Sequence, residues 1–189
     1  GNTGATLIAA HSVFGMMPGV DRPALATTIP TRHRDAVLLD VGATIDCRPR
    51  HLLQFAAMGT VYAERVLGIA NPRVGLLSIG EEAIKGNELT RDAHHLLSNS
   101  DIRFIGNLEA RDLYSGDADV VVCDGFTGNV ALKVSEGLVE VIEDLLRDEL
   151  NRTFTTQLGY LLSRRSYRRF RRRVDYSEYG GAPLLGVAG

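Results

Sequence analysis

Four short apolar runs, each closed by a polar or glycine-bearing loop, constrain this chain more than any other feature. They are Ala36–Val41 before Gly42, Val74–Ile79 before Gly80, Ile102–Ile105 before Gly106, and Ala118–Cys123 before Asp124 and Gly125. Longer stretches with helical spacing lie around them. Thr6–Met17 precedes the first run. Pro49–Leu67 carries Leu52, Leu53, Phe55, Ala56, Met58, Val61, Tyr62 and Val66, with proline at its start. Asn87–Leu97 is helical, and Asn129–Leu150 presents Val130, Val134, Leu138, Val141, Ile142, Leu145 and Leu146 along one face. Strands alternating with helices predict an α/β fold around a mostly parallel sheet.

In such sheets ligands bind beyond the C-terminal ends of the strands. The polar loops fall there by pattern. Asp40-Val41-Gly42-Ala43 ends the first strand and Gly80–Asn87 the second. Gly106-Asn107-Leu108-Glu109 ends the third, and Asp124–Asn129 the fourth. Four polar loops on one edge predict a site.

Their chemistry points to an anion. Gly1-Asn2-Thr3-Gly4-Ala5 runs straight into a helix, whose unpaired first-turn amides suit phosphate. Asn2 and Thr3 can donate to it or merely cap the helix. Lys85 beside Gly86 and Asn87 offers a mobile cation near close-approach backbone, or a solvated loop pairing with glutamates. In Asp124–Lys133, Gly125 and Gly128 permit backbone approach, Thr127 and Asn129 can donate, and Lys133 lies one turn into the helix. An ordinary turn with Asn129 as cap is the alternative. The GK[ST] ending of a nucleotide-binding loop is absent, as are GxGxxG and GxSxG. Asp40, Glu109 and Asp124 are carboxylates at strand ends, but the residues give no ground for claiming a metal, and no cofactor is expected. His94-His95 and His11 read as helix residues rather than ligands.

Composition sets the remaining bounds. The 189 residues suffice for a sizeable core. Trp is absent and aromatics make up 6%, which argues against stacking on single-stranded nucleic acid. Cys47 and Cys123 lie far apart without metal spacing and read as reduced thiols of a cytoplasmic protein. Charge is uneven: eight arginines after residue 150 face only Asp175 and Glu178, whereas acids dominate before it. The expected organisation is a core over 1–150, a basic amphipathic helical tip over 151–178, and a return segment over 179–189.

Several motifs together resemble one family. They are GNTGA, RPALA (22–26), LLDVGA with DCRP (46–49), QFAAMG (54–59), VGLLSIGEE (74–82) and KGNEL (85–89). FIGNLEARD (104–112), DVVVCDGFTGNVALK (119–133) and YGGAPLLGV (179–187) complete the series. In this order they resemble the bacterial phosphate acyltransferases of phospholipid synthesis, the PlsX family. The resemblance implies a three-layer, Rossmann-like fold similar to isocitrate and isopropylmalate dehydrogenases and phosphotransacetylase. It implies a homodimer that moves a fatty acyl group from acyl carrier protein to inorganic phosphate, without nicotinamide or metal. It further implies peripheral attachment to the inner face of the membrane. Thr44 stands where the family usually has Asn, and the family extends beyond both ends of this chain, so a fragment is expected.

Phosphate is itself a nucleophile, so such a transfer needs positioning and charge stabilisation rather than a Ser or Cys nucleophile. The expected catalytic residues are Lys85, Asn87 and Lys133. The expected binding residues are Asn2, Thr3, Gly4, Asp40, Asn107, Glu109, Asp124, Gly125, Thr127, Gly128 and Asn129. Arg164, Arg165, Arg168, Arg169 and Arg172, interleaved with Tyr167 and Phe170, suit an anionic membrane surface or the acidic carrier protein. No nucleic-acid motif accompanies them. A non-catalytic phosphate-binding fragment and a phosphotransacetylase-like enzyme are the alternatives.

Overall fold

The computed structural model describes residues 3–174 and 181–188. Its elements are α1 (Thr3–Phe14), β1 (Ala24–Ile29), β2 (Ala36–Leu39), α2 (Pro49–Val66), β3 (Val74–Ser78) and α3 (Glu88–Ser98). Then come β4 (Phe104–Glu109), a 3-10 turn (Ala110–Asp112), β5 (Val120–Val122), α4 (Gly125–Asn151), α5 (Phe154–Val174) and β6 (Leu184–Leu185).

The six strands lie in the order β4-β3-β5-β2-β1-β6. Four are parallel: β5 pairs with β2 and β3, and β3 pairs with β4. β1 runs antiparallel to β2, with Ala26 opposite Leu39. β6 pairs antiparallel with β1, bringing Leu184 opposite Leu25. The Val/Leu runs of β2, β3 and β5 are buried on both sides, as a central parallel sheet requires.

One face of the sheet packs Val37, Leu39, Val74, Leu76, Val120 and Val122 against Leu52, Phe55, Ala56 and Ala63 of α2, with Ala93 and Leu97 of α3. Fully burying one such large side chain contributes roughly 1.5–3 kcal/mol. Leu38, Leu77, Leu108, Val121 and Cys123 cover the other face, where Ala131 and Leu132 of α4 join them. Helices thus flank both faces of the sheet.

At the opposite edge of the sheet from the polar loops, Asp119 fastens strands together. Its buried carboxylate accepts from the Arg73 backbone N–H at 2.8 Å and from Arg73 Nε at 3.0 Å. It also accepts from Arg34 Nε at 3.1 Å. Burial pushes this carboxyl up, but the two guanidiniums and the backbone donor outweigh it and hold it below the ordinary value.

The second half of α4 leaves the sheet. Leu138, Val141, Ile142 and Leu145 are exposed there, and α5 packs back along this helix, with Arg171 Nε 3.3 Å from Glu143. Arg164, Arg165, Arg168, Arg169 and Arg172 are exposed on α5, beside exposed Leu161, Leu162 and Phe170. Among the described residues no helix is long and apolar enough to cross a membrane.

Several elements differ from the sequence expectation, α1 spanning Thr3–Phe14 rather than Thr6–Met17 and β6 adding a short strand in the return segment. β1 is an added strand, built from the small residues of ALATTI. The third expected strand shifts to Phe104–Glu109, so Gly106, Asn107 and Glu109 lie within it. Helix α4 starts at Gly125, four residues before Asn129, because the Asp124 side chain caps it.

Candidate active site

Asp40 organises the edge at which the parallel strands end. One carboxylate oxygen accepts from the N–H groups of Leu25 (2.9 Å), Gly42 (3.1 Å) and Ala43 (2.9 Å). The other accepts from the Thr44 N–H at 2.6 Å. Burial pushes its carboxyl up, against the opposing pull of those four donors. Asp40 is fully buried. Its oxygens are committed to the turn, so its expected part in binding becomes that of a positioning residue. Thr44, the departure from the family pattern, uses its hydroxyl to donate to the Pro23 carbonyl at 2.8 Å.

The first turn of α4 is pressed onto this loop. The Gly125 N–H donates to the Thr44 carbonyl at 2.8 Å. Asp124 accepts from the Thr127 N–H at 2.9 Å and from its hydroxyl at 2.7 Å. A Cβ at Gly125 would stand 2.8 Å from the Thr44 carbonyl oxygen. These glycines therefore admit backbone, and the amides of Gly125, Thr127 and Gly128 are already bonded within the protein. A phosphate at this helix start would draw on other donors.

Those donors gather in a neighbouring cleft of about 680 Å³. It opens where β3 leads into α3 on one face while adjacent β5 leads into α4 on the other. This is the topological switch point of a doubly wound sheet. Its polar mouth is made by Ser78, Asn87, Thr90, Asp124 and Thr127. Asn87 caps α3, its side-chain oxygen accepting from the Thr90 N–H at 2.9 Å. Asp124 caps α4 across the gap, so two helix starts face one mouth.

Ser78 stands between them. Its hydroxyl oxygen is buried and has no hydrogen-bond partner among the described residues. Gly86 makes room beside it: its φ is +97°, and an added Cβ would lie 2.9 Å from Ser78 Oγ and 2.0 Å from Thr90 Oγ1. Neither Ser78 nor Thr90 is singled out by sequence spacing. The signal was present only as a polar residue closing the apolar run of β3.

The remaining candidates divide. Lys85 is exposed in the loop after β3, where its side chain folds over Gly80, and its ammonium has no partner among the described residues. Lys133 is instead held by Glu136 at 2.6 Å on the exposed side of α4. Asn107 donates from Nδ2 to the Glu82 carbonyl at 2.9 Å, pinning the Lys85 loop from beneath. Its Oδ1 has no partner among the described residues. Glu109 pairs with Arg111 at 2.9 Å. Asn129 lies on the exposed side of α4 beside Gly42. Asn2 lies outside the described residues, as do the side chains of Thr3 and His11 and the burial of Gly4, though Thr3 and Gly4 begin α1.

Neither thiol is poised to attack. Burial, with the Asp124 and Asp40 charges nearby, pushes the Cys47 thiol up to about 12. The same causes push the buried Cys123 thiol well above its ordinary value. Both sulfurs donate to carbonyls, Cys47 to Thr44 and Cys123 to Asp40. Among the described residues no three His, Cys, Asp or Glu side chains are grouped to hold a metal ion.

The open α/β fold is shared with solved phosphotransacetylase structures. A phosphotransacetylase from Streptococcus pyogenes superposes with a TM-score of 0.58 at 19% identity, covering 74% of this chain and 49% of that one. A second, from Staphylococcus aureus, gives 0.56 at 18% identity over the same shares. The fold is thus of the phosphotransacetylase type. The chain belongs to the family described as "Fatty acid synthesis protein", whose model matches residues 1–189. It is 57% identical over 189 residues to a phosphate acyltransferase from Syntrophotalea carbinolica, and 56% identical to one from Acidobacterium capsulatum. All of this chain is covered in both, against 54% and 56% of those proteins. The chain spans about half the length of the curated relatives it matches.

Proposed function

We propose that the protein transfers a fatty acyl group from acyl carrier protein to inorganic phosphate, releasing acyl phosphate and the carrier thiol. The observation that carries this reading is the switch-point cleft, whose polar mouth adjoins the loop that carries Lys85 and which also has apolar walls. The family membership and the names of its relatives support the same reaction.

Phosphate binds at the mouth, where the unpartnered Ser78 hydroxyl and the Asn87 side-chain amide supply donors. Lys85 neutralises its charge, and Asn107 and Asp40 hold the loops that present these groups. A phosphate oxygen attacks the thioester carbonyl carbon, the C–S bond breaks, and the sulfur leaves as thiolate that takes up the proton of the attacking phosphate. Donors aimed at the developing oxyanion stabilise the transition state. No enzyme nucleophile is needed, in keeping with the two protonated thiols.

The exposed apolar length of α4, from Leu138 to Leu145, serves in this reading as the contact between two copies of a homodimer. In this reading the α5 arginines with Leu161 and Leu162 contact an anionic membrane surface or the acidic carrier protein, the protein being peripheral at the cytoplasmic face. The experiment is release of carrier-protein thiol from acyl-acyl carrier protein by the full-length protein. Release that requires added phosphate and yields acyl phosphate supports the reading. Phosphate-independent release, or none, overturns it.

A further inference from the structure

We infer that the apolar length of the cleft is the trough for the acyl chain, and that Tyr114 and Ser135 close its far end and set the chain length accepted. The inference rests on the acyl-transfer reading and names where the substrate's tail lies. Thr127, Val130, Ala131, Val134 and Ser135 all line the cleft from α4. Their spacing of three and four places them on one helical face. That face runs about 12 Å from Thr127 to Ser135 at 1.5 Å per residue.

The lining changes character along this length. Ser78, Asn87, Thr90, Asp124 and Thr127 share the cleft with an apolar wall of Leu77, Ile79, Leu113, Val130 and Val134, and along α4 the lining passes from Thr127 through Val130 and Val134 to Ser135. Polar groups return where the Tyr114 hydroxyl donates to Ser135 Oγ, linking the segment after β4 to α4. Ser135 in turn donates to the Ala131 carbonyl at 2.8 Å. The Tyr114 carbonyl also accepts from the Arg32 N–H at 3.1 Å, which anchors the backbone carrying the ring. A polar head, an apolar run and a hydrogen-bonded stop match an acyl thioester seated with its carbonyl beside the phosphate. Val130 is 48% exposed, Val134 65% and Ile79 81% without an occupant, and a bound chain covers this surface.

The test uses the full-length protein with a series of acyl-acyl carrier proteins of increasing chain length. Tyr114→Ala removes the stop, and Ala131→Leu fills the trough midway. Each methylene buried against apolar walls changes binding about fourfold, so a shift of two methylenes moves the long-to-short kcat/KM ratio roughly 15-fold. Tyr114→Ala is expected to move that ratio toward longer chains and Ala131→Leu toward shorter ones. If Tyr114→Ala does not fold, Ala131→Leu alone decides. A ratio unchanged while all lengths fall equally overturns the trough, even with phosphate-dependent transfer intact. Loss of that transfer in the unsubstituted protein overturns the parent reading instead.

Discussion

Gly128 meets the carbonyl oxygen of Asp40 so closely that an added Cβ would stand 1.9 Å from it. The same Cβ would lie 2.8 Å from Cys123 Sγ. The second glycine of DGFTGN is thus a packing residue that lets a helix start lie against the end of β2. Gly128→Ala is expected to destabilise the protein by about 1–3 kcal/mol, since backbone on both sides must shift. Chemical denaturation checks it, and an unchanged midpoint contradicts this contact.

Asp119 links β5 to Arg73 and Arg34 while nearly fully buried. Its carboxyl is held below the ordinary value, so its stabilisation is present above the unfolded pKa of about 3.9 and is lost as pH falls through the folded pKa. Asp119→Asn is expected to lower stability at pH 7 by about 1–3 kcal/mol. It also removes part of the acid sensitivity below about pH 4. Thermal melts of both proteins across pH 3–7 as an approximate window measure this.

The two lysines separate by their partners. Lys85 has none among the described residues, whereas Lys133 is paired with Glu136 on an exposed helix surface. In the full-length protein Lys85→Ala is expected to lower kcat/KM for phosphate about 100-fold, the scale of losing one transition-state charge contact. Lys133→Ala is expected to cost less than about tenfold, because exposed pairs of this kind contribute little. Steady-state kinetics at varied phosphate decide between them.

Replacing Arg164, Arg165, Arg168, Arg169 and Arg172 with Glu is expected to abolish sedimentation with anionic vesicles, while leaving thermal stability near that of the parent. Binding by the parent should weaken as salt rises, as a surface charge contact does. Equal sedimentation by both proteins removes the membrane role from α5.

The sheet was legible because β2, β3 and β5 are buried on both sides and therefore spell continuous Val/Leu runs. β1 escaped because its core residues Ala24 and Ala26 are small and Thr27 and Thr28 interrupt the apolar run, although the strand packs into the core. The start of α4 was misplaced for a similar reason: two glycines resemble a turn until Asp40 and Thr44 are seen occupying the space a Cβ would need. Chain order gave the edge at which Asn87 and Asp124 gather, since both follow parallel strands. It marked Ser78 only as the polar residue closing β3 and gave no hint of Thr90 or Tyr114, whose roles depend on which faces α3 and α4 present to one cleft. Asp40, conspicuous in sequence, turned out to spend its carboxylate on backbone.

Arsenate, an isostere of phosphate that scatters X-rays anomalously, tests the central claim most directly. Crystals of the full-length protein soaked with it should show an anomalous peak in the cleft between Asn87 and Asp124, within hydrogen-bonding distance (about 2.5–3.2 Å) of the Thr90 or Ser78 hydroxyl. A peak elsewhere, with this cleft empty at arsenate concentrations that support carrier-thiol release, would contradict the account.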